Sequence, residues 1–344
     1  MRADEVQFIR ENIDIFCCPK CAGPLDVDER GIGCAQCRLF RDQSDNIPQL
    51  FYPNEWDPSA PDVTDRIKSF YEDTPFPNYD GFDNVASLLD KSRRSVFAKL
   101  LDDQVPLGSR IIECGCGTGQ MSNFLSIGNR TVVGTDLCLN SLRLAQSFKE
   151  KNNLSRVLFV QMNLFRPCFR PESFDLVISN GVLHHTSDPL LGFKTIAALA
   201  KPGRFVLIGL YHRYGRITND LRVGLFKLTR DRFKSIDKRL VDKSISAEKK
   251  NAWFRDQYKN PHESKHTIGQ VFHWVKEVGL ELVSTIPKVH GTFDTSTKLF
   301  SPDPPSSRFS RFVTDFGMLF GGRSEGGFFI VIAKKPRNPA SGPT

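Results

Sequence analysis

Apolar positions along this chain cluster in short β-branched runs, and the longer stretches between them alternate apolar and polar at helical spacing. Ser109 to Glu113 is the first strong run, set off by Pro106-Leu107-Gly108. Thr131 to Asp136, Leu158 to Asn163, Phe174 to Gly181 and Arg204 to Leu210 follow, the last after a turn at Lys201-Pro202-Gly203. Each reads as a buried strand. Helical patterns lie between them, notably Asn140 to Lys151 and Pro189 to Ala200, and another runs from Thr267 to Val278. Strands alternating with amphipathic helices predict an α/β fold with a mostly parallel sheet and helices on both faces. A ligand in such a sheet binds beyond the carboxyl ends of the strands.

Chemistry-bearing residues concentrate at those ends. The first strand runs into Glu113-Cys114-Gly115-Cys116-Gly117-Thr118-Gly119-Gln120, an acid and a glycine-rich turn that opens a helix. Glycine tolerates positive φ and lets a backbone approach a nucleotide-like ligand closely. A dinucleotide fingerprint would need glycine at 120, where Gln120 stands. Asp136 ends the second strand, placed to accept hydrogen bonds from ribose hydroxyls.

The spacing Glu-x-Gly-x-Gly-x-Gly resembles motif I of the class I S-adenosylmethionine-dependent methyltransferases, and the resemblance extends in order over roughly Leu107 to Lys335. It implies a doubly wound, seven-stranded Rossmann-like sheet with S-adenosylmethionine as cofactor. It further implies that Glu113, Gly115, Gly117 and Gly119 hold the methionine end and Asp136 the ribose. Asn163 stands where the family has an acid for the adenine amino group, and its side-chain oxygen can still accept that hydrogen bond. Cys116, Gln120, Leu137, Leu164 and Asn180 complete the expected cofactor site. Arg204 replaces the last glycine of the family's Lys-Pro-Gly-Gly turn.

Nearer the amino end, Cys18-Pro19-Lys20-Cys21 and Cys34-Ala35-Gln36-Cys37 form two C-x-x-C knuckles separated by residues 22 to 33. Two such knuckles close a tetrahedral zinc site, and four thiolates leave no open position, so the zinc is expected to be structural. The stretch from about residue 13 to 52 resembles the zinc-ribbon activator that partners tRNA, rRNA and protein methyltransferases, here fused in the same chain. Cys17 reads as a packed small residue.

Between ribbon and sheet, Ser69 to Tyr79 carries Pro75 and Pro77, which predicts an extended segment. It resembles the Tyr-Glu-x-x-Pro-[Tyr/Phe]-Pro stretch that precedes the catalytic domain in a set of bacterial methyltransferases; a lid and a packing strap are equally open readings, with Tyr71 as the candidate residue. After the fourth strand, Asn180-Gly181-Val182-Leu183-His184-His185-Thr186 resembles the Val-Leu-His-His motif of small-molecule methyltransferases such as those of quinone biosynthesis. His185 is the candidate base, since imidazole takes protons near neutral pH; His184 reads as structural. Tyr211 and His212, at the end of the fifth strand, are further pocket candidates. His262, Glu263 and His266 lack diagnostic metal spacing.

Residues 222 to 243 hold eight Lys or Arg and three Asp, a net charge of +5, with Phe and Leu at near-helical spacing. Such a stretch suits a solvated helix, a nucleic acid, an anionic membrane surface or an acidic substrate. The chain has 344 residues, 40% of them hydrophobic, and a net charge of +8. Length suggests about two domains: a ribbon over 1–55, a linker and lid segment over 56–106, a methyltransferase domain over 107–335 with an insertion at about 212–266, and a disordered tail over 336–344. No apolar run is long enough to span a bilayer, and the cysteine usage points to the cytoplasm. The expected activity is methyl transfer to a small-molecule or lipid-like acceptor. The alternatives are an rRNA or tRNA methyltransferase that reads RNA with its ribbon, and a non-catalytic methyltransferase-like partner.

Overall fold

The computed structural model describes residues 1–39, 45–56, 63–73, 75, 84–321 and 327–337. Two short antiparallel strands, β1 (Asp26–Asp28) and β2 (Gly31–Gly33), make the ribbon. The main sheet follows with β3 (Arg110–Cys114), β4 (Thr131–Asp136), β5 (Val157–Gln161), β6 (Phe174–Asn180), β7 (Ala200–Tyr211), β8 (Glu281–Ile286) and β9 (Phe328–Lys334). Its seven strands lie in the order β5-β4-β3-β6-β7-β9-β8, parallel from β5 to β7, with β9 antiparallel to both neighbours. Strands β3, β4 and β5 are buried along most of their length, as a sheet covered on both faces requires. The expected doubly wound fold is therefore observed.

Element ends depart from the sequence reading for local reasons. β5 stops at Gln161, because the Asn163 side chain accepts from Phe165 N at 3.1 Å and turns the chain away. β7 begins at Ala200, so Lys201-Pro202-Gly203 lies within a strand whose pairing shifts register, not in a turn before it. The preceding helix accordingly ends early, as Pro189–Ala197. Ser69 to Asp73 is not extended: it forms the last turns of the helix Val63–Asp73. Proline excludes helix only at itself and its predecessor, so Pro75 leaves these residues free to be helical. Most of Thr74 to Tyr79, and the tail from 338 on, lie outside the described residues.

The ribbon is not a separate bead. Ile9, Ile15, Phe16 and Leu50 share one hydrophobic core with β3, β5 and β6. Phe16 packs on Phe169 at 4.8 Å, and Cys17 N donates to Cys168 O at 3.0 Å. Gln161 N donates to Pro48 O at 2.8 Å, and Leu50 N donates to Gln161 O at 2.9 Å. Residues 48–50 thus extend the edge of β5, covering backbone groups that an open sheet edge would expose. Buried Lys149 and Gln146, on the helix Leu139–Lys151, both bond Glu5 of the helix Ala3–Glu11. No described helix is long and apolar enough to cross a membrane.

Candidate active site and metal centre

The glycine turn is shaped by packing at both ends. Gly115 has φ 82°, and a Cβ there would sit 2.3 Å from Val182 Cγ2, so no larger residue fits. Gly119, at φ 72°, caps the helix Gln120–Ile127, where a Cβ would meet Ala145 Cβ at 2.6 Å. Gly119 therefore serves close helix packing and is not among the residues that line the cavity. Asp136 ties the turn to β4: its carboxylate accepts from Gly117 N at 2.8 Å and Cys138 N at 2.9 Å. Burial raises its pKa above the ordinary carboxylate value, partly offset by those backbone donors. Glu113 is buried at the end of β3, where it accepts from Ser122 Oγ. Burial pushes its pKa up to about 7.

These groups line a cavity of about 690 Å³. Glu113, Gly115, Cys116, Gly117, Gln120, Asp136, Leu137, Asn163, Leu164 and Asn180 all lie on its wall. Asn163 is the exception in its bonding. Its amide nitrogen donates to Tyr52 O at 3.0 Å and Asn54 Oδ1 at 2.7 Å, fastening the chain that leaves the ribbon. Asn180 Oδ1 is buried with no hydrogen-bond partner among the described residues. A donor from a bound ligand would satisfy it.

The opposite wall is assembled from distant pieces. Glu72, near the end of the helix Val63–Asp73, accepts from Leu139 N at 2.8 Å and Asn140 N at 3.0 Å. A carboxylate on a helix N-terminus is favourably placed, and this bond brings Tyr71, Ile67 and Thr64 to the cavity. The helix Ala247–Lys259 contributes Trp253, Asp256 and Gln257, spaced to share one helical face. Asp256 accepts from Tyr71 Oη at 2.8 Å and from Gln257 Nε2 at 2.8 Å. Gln257 Nε2 also reaches Tyr211 Oη at 2.8 Å, while its Oε1 accepts from Arg216 at 2.6 Å. The Arg216 guanidinium covers the Tyr211 ring at 3.8 Å and bonds Glu263 at 2.9 Å. Burial and the neighbouring Asp256 raise both tyrosine pKa values, so both stay phenols.

His185 stands among them, buried and on the cavity wall. Its Nδ1 donates to His262 O at 2.9 Å, because a carbonyl can only accept. Burial lowers its pKa below the usual histidine value. The ring is thus neutral near pH 7, with the lone pair on Nε2. His184 packs at 4.1 Å on Tyr211, accepts from Tyr211 N at 3.4 Å and does not line the cavity. His212 does not line it either. Its Nδ1 accepts from Gly215 N at 3.2 Å and its Nε2 bonds Asp315 at 2.7 Å. Both nitrogens are committed, so the expected catalytic role of His212 is withdrawn. Trp253 carries no signal in the sequence, and Glu72, Asp256 and Gln257 stand out only as members of longer stretches, Ser69 to Tyr79 and Asp256 to Thr267, the second of which reads as material that could line the acceptor pocket through its Tyr, His and Glu. The spacing of these four residues carries no motif, although Glu72 adjoins Tyr71 in the quoted stretch.

In the ribbon, the Sγ atoms of Cys18, Cys21, Cys34 and Cys37 lie within 4.8 Å of one another. Cys18 and Cys37 are 3.9 Å apart, and Cys21 and Cys34 are 3.7 Å apart. A disulfide would need about 2.05 Å. A tetrahedron of sulfurs around zinc has edges of about 3.8 Å, so the set fits that ion. Ala22 and Arg38, the residues after each knuckle, both turn left-handed, at φ 57° and 54°. No other cluster of this kind occurs among the described residues, so His262, Glu263 and His266 do not gather as metal ligands.

The seven-stranded sheet order, with an acid and a glycine turn at β3 and a second acid at β4, is the Rossmann-like fold that the sequence resemblance implies. Residues 112–208 match the family described as a methyltransferase domain. An uncharacterized protein of Synechococcus sp. is 25% identical over 196 residues, 50% of this chain and 47% of its own. The ubiquinone biosynthesis O-methyltransferase of Bordetella parapertussis is 30% identical over 109 residues, 31% of this chain and 44% of its own. A solved S-adenosylmethionine dependent methyltransferase from Mesorhizobium loti is 17% identical, with a TM-score of 0.44, covering 71% of this chain and 100% of that one. The chain spans about half the length of the curated relatives it matches.

Proposed function

We propose that this protein transfers a methyl group from S-adenosylmethionine to a small-molecule or lipid-like acceptor held against His185, Tyr71 and Asp256. One observation carries the reading: a single cavity joins the Glu113–Gly117–Asp136 wall to the His185–Tyr71–Asp256 wall. When bound, the cofactor supplies an electrophilic methyl group on a sulfonium. Glu113, Gly115, Cys116, Gly117 and Gln120 would hold its methionine end, and Asp136 and Leu137 its ribose. Leu164, Asn163 and Asn180 would complete that wall, Asn163 mainly through its shape.

The acceptor's hydroxyl or amine loses a proton as its bond to carbon forms. His185 Nε2 is the base for it: the Nδ1 bond to His262 fixes the tautomer, and burial keeps the ring neutral. Tyr71 and Asp256 orient the acceptor; much of the acceleration comes from alignment itself. The four ribbon cysteines hold a structural zinc with no open position. Reduced thiolates are what such a site requires, which supports a cytoplasmic location.

The test is calorimetric binding of S-adenosylmethionine and of its demethylated product, followed by transfer of labelled methyl to a cell metabolite extract or to total RNA. Cofactor binding with transfer into the metabolite fraction is the expected result. Transfer to RNA alone would replace the acceptor, and absence of cofactor binding would leave a non-catalytic partner protein.

A further inference from the structure

The basic stretch of the insertion is one of two surfaces with clustered exposed apolar side chains, the other being the helix Arg308–Gly321 with Phe309, Phe312 and Phe320. On the helix Ile217–Thr229 and along the chain from it to the helix Ala247–Lys259, large apolar side chains stand in solvent: Leu221 is 71% exposed, Leu228 85%, Phe233 52%, Ile236 45% and Val241 52%. Cations alternate with them. Among the described residues, Lys227, Arg230, Arg232, Lys234, Lys238 and Lys243 form no ion pair and all are exposed. The three acids of the stretch are already occupied. Asp231 pairs with Lys259, Asp237 is buried on Trp253 and Tyr258, and Asp242 bonds its own turn at Ser244. The fold beneath is ordered, with Phe226, Phe254 and Tyr258 in a small core of their own.

Exposed aliphatic groups next to unpaired cations cost free energy in water and gain it at an anionic lipid surface. There the apolar groups enter the headgroup boundary and the cations remain at the phosphates. A phosphate backbone of RNA would satisfy the cations and leave Leu221, Leu228, Ile236 and Val241 without partners. The surface also touches the cavity. Trp253 lines the cavity, donates to Asp237 at 2.8 Å, and lies under the Arg239 guanidinium at 4.1 Å.

We infer that the insertion Leu221 to Lys243 is a membrane-docking surface for anionic lipid, and that it holds the acceptor cavity at the bilayer interface. The second half rests on the methyltransferase reading given above; docking itself does not.

The experiment is co-sedimentation of the purified full chain with phosphatidylcholine vesicles, with and without phosphatidylglycerol. The expected result is binding to the anionic vesicles only, weakened by salt. Arg232→Gln, Lys238→Gln and Lys243→Gln should each weaken it roughly fivefold, from about 1 kcal/mol per cation near the surface. Leu228→Ser with Phe233→Ser should weaken it at high salt as well, and both side chains are exposed enough that the fold is kept. Equal sedimentation with and without anionic lipid, or none, would overturn the proposal. So would binding to total RNA that the three charge variants abolish while vesicle binding persists unchanged. Calorimetry of S-adenosylmethionine on the same preparation separates the two readings: vesicle binding without cofactor binding would sink the enzymatic reading alone.

Discussion

The two walls of the cavity are built in opposite ways. The cofactor wall comes almost entirely from consecutive strand–turn units, β3 to β6, with each functional residue at a strand end. The acceptor wall brings together Tyr71, His185, Tyr211 and Asp256, whose side chains meet only through a network that spans 185 residues. The first wall is rigid because a parallel sheet holds it. The second is rigid only while its hydrogen bonds are complete, since each link depends on a different element. Substitutions in the first wall should therefore change cofactor affinity, and those in the second should change turnover.

The largest expected effect is on the acceptor wall. His185→Ala should lower methyl transfer by about 10²–10⁴ while leaving S-adenosylmethionine affinity unchanged. With wild type, the rate should fall on acidification with a midpoint below the usual histidine value of 6.5, because burial depresses this group. An unchanged rate, or a lost cofactor affinity, would erase the division between the walls.

The ribbon supports the cofactor wall through the pairing of Pro48 and Leu50 with Gln161 and through Asn163, and its exit also touches the helix Val63–Asp73, where Asn54 Nδ2 donates to Thr64 Oγ1 at 3.1 Å. Cys21→Ser should remove bound zinc, lower the thermal midpoint and weaken cofactor binding, since metal supplies much of the folding energy of so small a unit. Full zinc retention by mass spectrometry would refute the four-cysteine site.

Asp136→Ala comes next. Losing a charged hydrogen-bond acceptor of about 1.5–3 kcal/mol should weaken S-adenosylmethionine binding roughly 10- to 150-fold with the fold intact by circular dichroism. Unchanged affinity would remove Asp136 from the site.

Glu113 gives the smallest effect, and it has a sign. Its folded pKa is about 7 against an ordinary 4.5, so the folded state holds this proton more tightly. The group therefore favours the folded state below pH 4.5, and that contribution is lost as pH rises to about 7. Glu113→Gln should make the cofactor-free protein more stable than wild type above neutral pH, by on the order of 1–3 kcal/mol, while binding S-adenosylmethionine more weakly. Denaturant melts at two pH values would show whether the stability difference grows in that direction.

The same asymmetry explains what could be read in advance. Hydrophobic periodicity revealed β3 to β7 within a few residues, and the glycine spacing pointed to one side of the cavity, because both are local patterns. Gly119 shows the ambiguity of such a turn, since a helix-packing glycine and a ligand-binding glycine look alike in sequence. The error at Ser69 to Asp73 came from extending proline's local restriction several residues upstream. His212 looked available beside Tyr211, and only its bond to Asp315, 103 residues away, shows that it is not.

By itself, the sequence determined the doubly wound α/β class, the strand-end acids, the two cysteine knuckles and the basic stretch. All of these are set by propensity, periodicity or spacing within a few turns of chain. The tertiary structure alone decided that the ribbon edge joins β5, that Glu72 seats Tyr71 over the cavity, and which of three neighbouring histidines faces it. Those outcomes depend on side chains far apart in the chain meeting in a buried site, where each polar group must find a partner and no local rule says which.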